Sequence, residues 1–210
     1  MIKKSFKIYL FGFTIGVIIC FILLLSFPAL YYAFLALLIK KAEVQKEVLG
    51  GNPALSISLN NVFAAFMCAY GGYLTSRVFL HFDSSAHSTV ARILRLLDAK
   101  IARLPIERVK HYLALYTFPI FILFFNGFVL GAFFILYSEN LEAYFANLLP
   151  HAFFEIPGIL LAGSIGLSIA ERAVFSEGEF RKKLDTEARK ELLYYALVVG
   201  LLIIGALLEA

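Results

Sequence analysis

Long uncharged apolar runs alternate with shorter basic stretches along most of the chain. A helix needs about 20 apolar residues to cross the hydrocarbon core of a bilayer. Five runs meet that length: about Phe6 to Phe27, about Ala54 to Leu80, Phe118–Tyr137, His151 to about Val174, and Leu192–Leu208. Pro28 bends or ends the first, and "ALYYAFLALLI" after it either carries the helix on or turns it along the interface. "LGGNP" is a turn signal ahead of the second run. The pattern predicts an all-α fold: a polytopic membrane helix bundle of about five transmembrane helices, in one integral membrane domain covering residues 1–210.

Two connections have a pattern of their own. Between spans two and three, in a segment at 84–112, Val90, Ile93, Leu94, Leu97, Ile101 and Leu104 recur at helical spacing. Arg92, Arg95, Lys100 and Arg103 are interleaved, and Pro105 stops the pattern. This predicts an amphipathic helix, either lying in the headgroup layer with its cations towards anionic lipid or packed as a lid over the ends of the spans. At 176–191, "SEGEFRKKLDTEARKE" places Glu179 and Lys183 at i, i+4 and predicts a solvated helical hairpin leading into the last span.

Composition agrees with the runs. Of 210 residues, 61% are hydrophobic and 16% charged, against about half and a quarter in soluble domains. The basic start, "MIKK", precedes an apolar stretch too long for a signal peptide, and no small-residue cleavage site follows, so a retained first span is expected. Cys20 and Cys68 both fall in apolar runs and suit small core fillers rather than a redox or zinc motif.

The distribution of charge changes the picture more than its sum. Alternate connections, counting the N-terminus, hold sixteen Lys and Arg residues, and the others hold three. Basic residues stay on the cytoplasmic side, so the N-terminus is expected in the cytoplasm and the C-terminus outside, in a multi-pass protein of the cell membrane. The cations belong to membrane-adjacent segments rather than to a free basic domain, so no nucleic acid is expected as a partner.

Small residues mark helix contacts. "GFTIG" (Gly12, Gly16) and "GFVLG" (Gly127, Gly131) are GxxxG motifs, and Ala162 and Gly166 are four apart in "LAGSIGLS". Such spacing lets backbones approach closely, within one chain or between two copies.

Polar residues inside the spans carry the candidate chemistry. Asn60 and Asn61 lie in span two, Asn126 in span three, and His151 and Glu155 in span four. An ionised group at the bilayer centre costs about 2.5–3.5 kcal/mol on insertion scales, so such groups face the bundle interior and pair. Spans two and four both start outside, which puts Asn60, Asn61, His151 and Glu155 in one layer of the outer leaflet, with Asn126 nearer the middle. In "PHAFFEIPG", Pro150 suits a first helical turn, and His151 and Glu155 at i, i+4 share a face. Pro157 leaves the Phe153 carbonyl for a side-chain donor, and both prolines are candidate kinks.

Three readings of this layer are open: a structural polar clasp between helices; a proton, metal or small-ion site with His151 and Glu155 as candidate ligands; or catalysis. One imidazole and one carboxylate fall short of the three protein ligands usual for catalytic zinc. His81, His87 and His111 are expected on the cytoplasmic side, out of reach. No catalytic set and no cofactor are expected.

"SLNNVFAAF", "FFNGFVLG" and "PHAFFEIPGILLAGSIGLSIAERAV" together resemble the stage II sporulation protein M family of prokaryotic membrane proteins, over about residues 55–175. The matching positions are Asn60, Asn61, Asn126, Gly127, Gly131, Pro150, His151, Glu155, Pro157, Gly163 and Gly166, while Ala152 stands where the family usually has glycine. Its best-known member anchors a peptidoglycan-degrading complex during engulfment in spore-forming bacteria. The resemblance therefore implies a membrane scaffold that recruits enzymes and is not itself an enzyme. The partners expected for such a scaffold are the lipid bilayer, a second copy in a homodimer, and other membrane or envelope proteins. The alternative is a transporter or permease subunit for ions, small molecules or lipid, built around His151 and Glu155.

Overall fold

The computed structural model describes residues 1–48, 53–79, 99–138 and 140–209. The side chains of some helical residues within those ranges, Pro150 and His151 among them, lie outside the description. All regular structure among the described residues is helical: α1 (Ile2–Ser26), α2 (Pro28–Val48), α3 (Pro53–Phe66), a π-helical turn (Met67–Gly71), α4 (Gly72–Phe79), α5 (Ala99–Ala102), α6 (Ile106–Leu136), α7 (Leu141–Val174), α8 (Phe180–Lys190) and α9 (Leu192–Glu209).

A helical membrane bundle is therefore the fold. Among the described residues α1, α6 from Arg108 and α7 from Phe153 are each long and apolar enough to cross a membrane, and α8 and α9 pass together as a pair bent by 42°. The expected span at 54–80 is divided. The π-helical turn separates α3 from α4, although right-handed helical backbone on both sides keeps the rod continuous.

Glycines set how the rods dock. A β-carbon on Gly12 or Gly16 would run into the carbonyl oxygen of Phe124 or Phe128, and one on Gly127 or Gly131 into that of Tyr9 or Phe13. The two GxxxG motifs are thus keyed into each other within one chain, each removing the side chain that would hold the other backbone away. Because 12 and 16 meet 124 and 128 in order, α1 and α6 run parallel. Leu123 packs on Gly163 and Pro119 on Gly166, so α7 runs antiparallel to α6. Leu202 packs on Gly158 and Phe154 on Gly205, which makes α9 antiparallel to α7.

At the centre, three irregularities share one crossing. Pro119 inside α6 cannot bond the Leu115 carbonyl, and Gly72 backs onto that oxygen. The buried Cys68 thiol, within the π-helical turn, donates to the Pro119 carbonyl at 3.9 Å, and Gly166 lies against the Cys68 carbonyl. Both cysteines are free and fully buried, as small fillers would be.

Four sequence-based expectations change. After Phe27, α2 turns back instead of continuing: Tyr31 donates to the Ala132 carbonyl at 3.4 Å and the Phe34 ring meets Phe128, one turn earlier on α6. Most of the amphipathic helix expected within 84–112 lies outside the described residues, since the description resumes at residue 99. Ala99–Ala102 is helical, and residues 106–112 belong to α6 rather than to that segment, with Val109 packed near Ile101. The helix that carries the fourth span does not begin at Pro150 and His151. It starts at Leu141, because Asn140 caps it by accepting from the Ala143 N–H at 2.9 Å, and Pro150 therefore sits inside α7 rather than in its first turn. The stretch 176–191 is not simply solvated either, since Leu184, Glu187 and Ala188 of α8 are buried.

Candidate functional site

Asn60 and Asn61 lie two turns into α3, and Glu155 lies on α7, four residues after His151. The Asn61 side-chain amide donates to Glu155 Oε1, and the Asn60 amide donates to Asn61 Oδ1 at 3.2 Å. All three side chains are half-buried. An asparagine amide both donates and accepts, so Asn61 relays the chain from Asn60 to the carboxylate. α9 closes the far side, where a β-carbon on Gly205 would stand 3.7 Å from the Glu155 Cγ. Tyr9 of α1, buried, is within electrostatic reach of both Glu155 and Tyr144.

Of the five polar residues singled out from the sequence, the structure joins Asn60, Asn61 and Glu155. Asn126 is turned to its own helix, donating to the Ile122 carbonyl at 2.8 Å. The His151 side chain lies outside the described residues. The Phe153 carbonyl, freed by Pro157, is not where the Asn61 amide goes, since that amide is directed to the carboxylate. Among the described residues no three His, Cys, Asp or Glu side chains converge in the way a metal ion requires.

A second polar constellation lies at the opposite end of the bundle. Arg172 at the end of α7 reaches Glu187 at 3.4 Å and Glu191 at 3.0 Å, while Ser168 donates to Glu191 and Lys190 pairs with Glu187 at 2.8 Å. Both carboxylates are buried, whereas Arg172 is half exposed. Arg77 pairs with Asp185 at 2.7 Å, and the Tyr73 hydroxyl donates to the same carboxylate. Arg108 donates to the Val174, Ser176 and Gly178 carbonyls, so a cation caps the negative end of the α7 dipole. His111, buried, is 2.9 Å from the Ser76 hydroxyl and stacks on Phe180 with ring centroids 4.5 Å apart. These contacts fasten α8 across the ends of α4, α6 and α7. The signal for them was the apolar pair Leu184 and Ala188 at i, i+4, which gives an otherwise charged helix one face to bury.

No curated protein and no protein of solved structure is significantly similar to this chain. Residues 29–210 match the family model described as Stage II sporulation protein M, a stretch that takes in Asn61, Glu155 and the whole of α6 through α9 while leaving out α1. The chain therefore belongs to the stage II sporulation protein M family.

Proposed function

We propose that this protein is a non-enzymatic membrane scaffold that holds partner proteins at the bilayer, with its charged end in the cytoplasm. The observation that carries the reading is the hydrogen bond from Asn61 to Glu155. A carboxylate in a spanning helix is costly unless paired, and this one is engaged by an amide that is itself engaged by Asn60. Such a chain ties α3 to α7. The keyed glycines tie α1 to α6, and the Arg172 contacts tie α8 to α7. The product is a rigid body with the cations Arg181, Lys182, Arg189 and Lys190 displayed on α8, which suits a platform. Family membership supports the same reading. Both GxxxG motifs are occupied within the chain, so a homodimer would pair through other lipid-facing surfaces.

The test has two arms. Purified protein in liposomes is expected to leave them impermeable to ions, amino acids and labelled lipids. Photo-crosslinkers placed at the exposed Arg181 and Lys182 in native membranes are expected to yield discrete protein adducts. Flux that disappears in Glu155→Gln, together with no adduct, would replace the scaffold by a permease built on this layer.

A further inference from the structure

A groove of about 470 Å³ runs along α6, lined by Tyr112, Tyr116, Thr117, Ile120, Phe121 and Phe124. Its walls are apolar. The Thr117 hydroxyl is already directed to the Leu113 carbonyl at 2.8 Å, and Tyr112 and Tyr116 stack on each other at 4.3 Å. From Tyr112 to Phe124 the groove extends roughly 18 Å at 1.5 Å per residue, close to the roughly 15 Å depth of one leaflet's hydrocarbon. It begins at the charged end, beside the turn of α6 that carries Arg108 and His111, and runs towards the middle of the bundle.

α1 borders it. The Phe11 ring packs against Phe124 with centroids 6.0 Å apart, and the Lys4 ammonium lies over the Tyr116 ring, 4.8 Å from its centroid. Lys3, Lys4 and Lys7 are exposed, and none of them makes an ion pair among the described residues. A Lys4 ammonium with no carboxylate partner among the described residues, set beside an apolar, leaflet-deep groove, complements a molecule with one anionic end and one long apolar end.

We propose that this groove binds an anionic phospholipid, with one acyl chain along Tyr116, Ile120 and Phe124 and the phosphate at Lys4, and with Lys3 and Lys7 strengthening the local field. A basic residue near the membrane surface attracts anionic lipid strongly enough that one lysine shifts affinity about fivefold. The site is separate from the Asn61–Glu155 layer and does not depend on the scaffold reading.

Native mass spectrometry of the full-length protein, titrated with phosphatidylglycerol and separately with phosphatidylcholine, tests this. Phosphatidylglycerol is expected to form a single adduct at lower concentration. Lys4→Gln is expected to weaken that adduct about fivefold, and Thr117→Trp, which fills the groove from an exposed position, to abolish it. Lys182→Gln, whose lysine pairs with Glu179 on α8, is expected to change nothing. Equal binding of the two lipids would overturn the proposal. So would wild-type binding by both Lys4→Gln and Thr117→Trp, with thermal melting used to verify that each variant is folded.

Discussion

Gly12 of α1 and Phe124 of α6 meet backbone to backbone, with the Phe124 carbonyl oxygen in the space a β-carbon on Gly12 would need. A carbonyl fixed in a helix cannot turn aside as a side chain would, so any larger residue must push the helices apart. Gly12→Ala and Gly127→Ala are each expected to destabilise the protein by about 1–3 kcal/mol, the usual range for overpacking. Gly200 on α9 supplies the contrast, because nothing lies within 4 Å of its β-carbon position. Gly200→Ala should be neutral or stabilising by roughly 0.5–1 kcal/mol through reduced backbone entropy. Melting of the purified variants in detergent checks both, and a Gly12→Ala protein as stable as wild type would refute the docking.

The bond from Asn61 to Glu155 predicts a graded series. Glu155→Gln keeps a carbonyl oxygen that can accept from Asn61 and should lose little. Glu155→Leu strands a half-buried amide and should lose more. Hydrogen bonds between membrane helices average about 0.6 kcal/mol and reach about 1.7 in double-mutant cycles. A cycle over Asn61→Leu and Glu155→Leu is expected to return a coupling in that range. Zero coupling would mean that the two side chains stabilise the bundle independently or not at all.

The convergence of Asn61 and Glu155 was legible in the sequence because two arguments restrict it together. Lipid penalises lone polar groups, and two spans that run in the same direction carry theirs at equal depth. The GxxxG motifs were equally visible, but spacing alone does not say whether the facing backbone belongs to the same chain. What stayed hidden was hidden for local reasons. Pro150 satisfies the rule for a first turn, yet Asn140 starts α7 earlier, because its side chain answers an amide that no proline removes and Glu142 follows in the first turn. The return of α2 could not be read from "ALYYAFLALLI", which is apolar all round and suits either course. Buried Glu187 and Glu191 went unseen because pairing with Arg172, distant in sequence until α8 folds back, is what makes their burial tolerable.

Arg172 holds two buried carboxylates at once, and removing it leaves Glu191 with only the Ser168 hydroxyl as a side-chain partner among the contacts described. Breaking a buried pair from one side costs about 3–5 kcal/mol. The half-exposed guanidinium is screened by water, so roughly 1–3 kcal/mol is expected for Arg172→Gln. Glu187→Gln should cost less, because Lys190 and Arg172 are exposed cations that water can solvate once their partner is gone. Thermal melting of the two variants reads the order directly, and a Glu187→Gln protein less stable than Arg172→Gln would show that the desolvated carboxylates are not the vulnerable partners.

The proposed direction of the bundle rests on where its cations lie, and it can be tested. Ser138, in the turn between α6 and α7, is at the end opposite α8, since α6 runs from Arg108 at the charged end to Leu136 at the other. Loops that remain inside the cell carry the excess of Lys and Arg, and the orientation proposed above accordingly has the end bearing Arg77, Arg108, Arg172 and α8 in the cytoplasm. Ser138→Cys should therefore react with a membrane-impermeant maleimide in intact cells, whereas Lys182→Cys should react only after lysis or in inverted vesicles. The native thiols give little background, because Cys20 and Cys68 are fully buried. Labelling of Lys182→Cys in intact cells, with Ser138→Cys protected, would invert the topology and place the lysines of the proposed lipid groove in the outer leaflet.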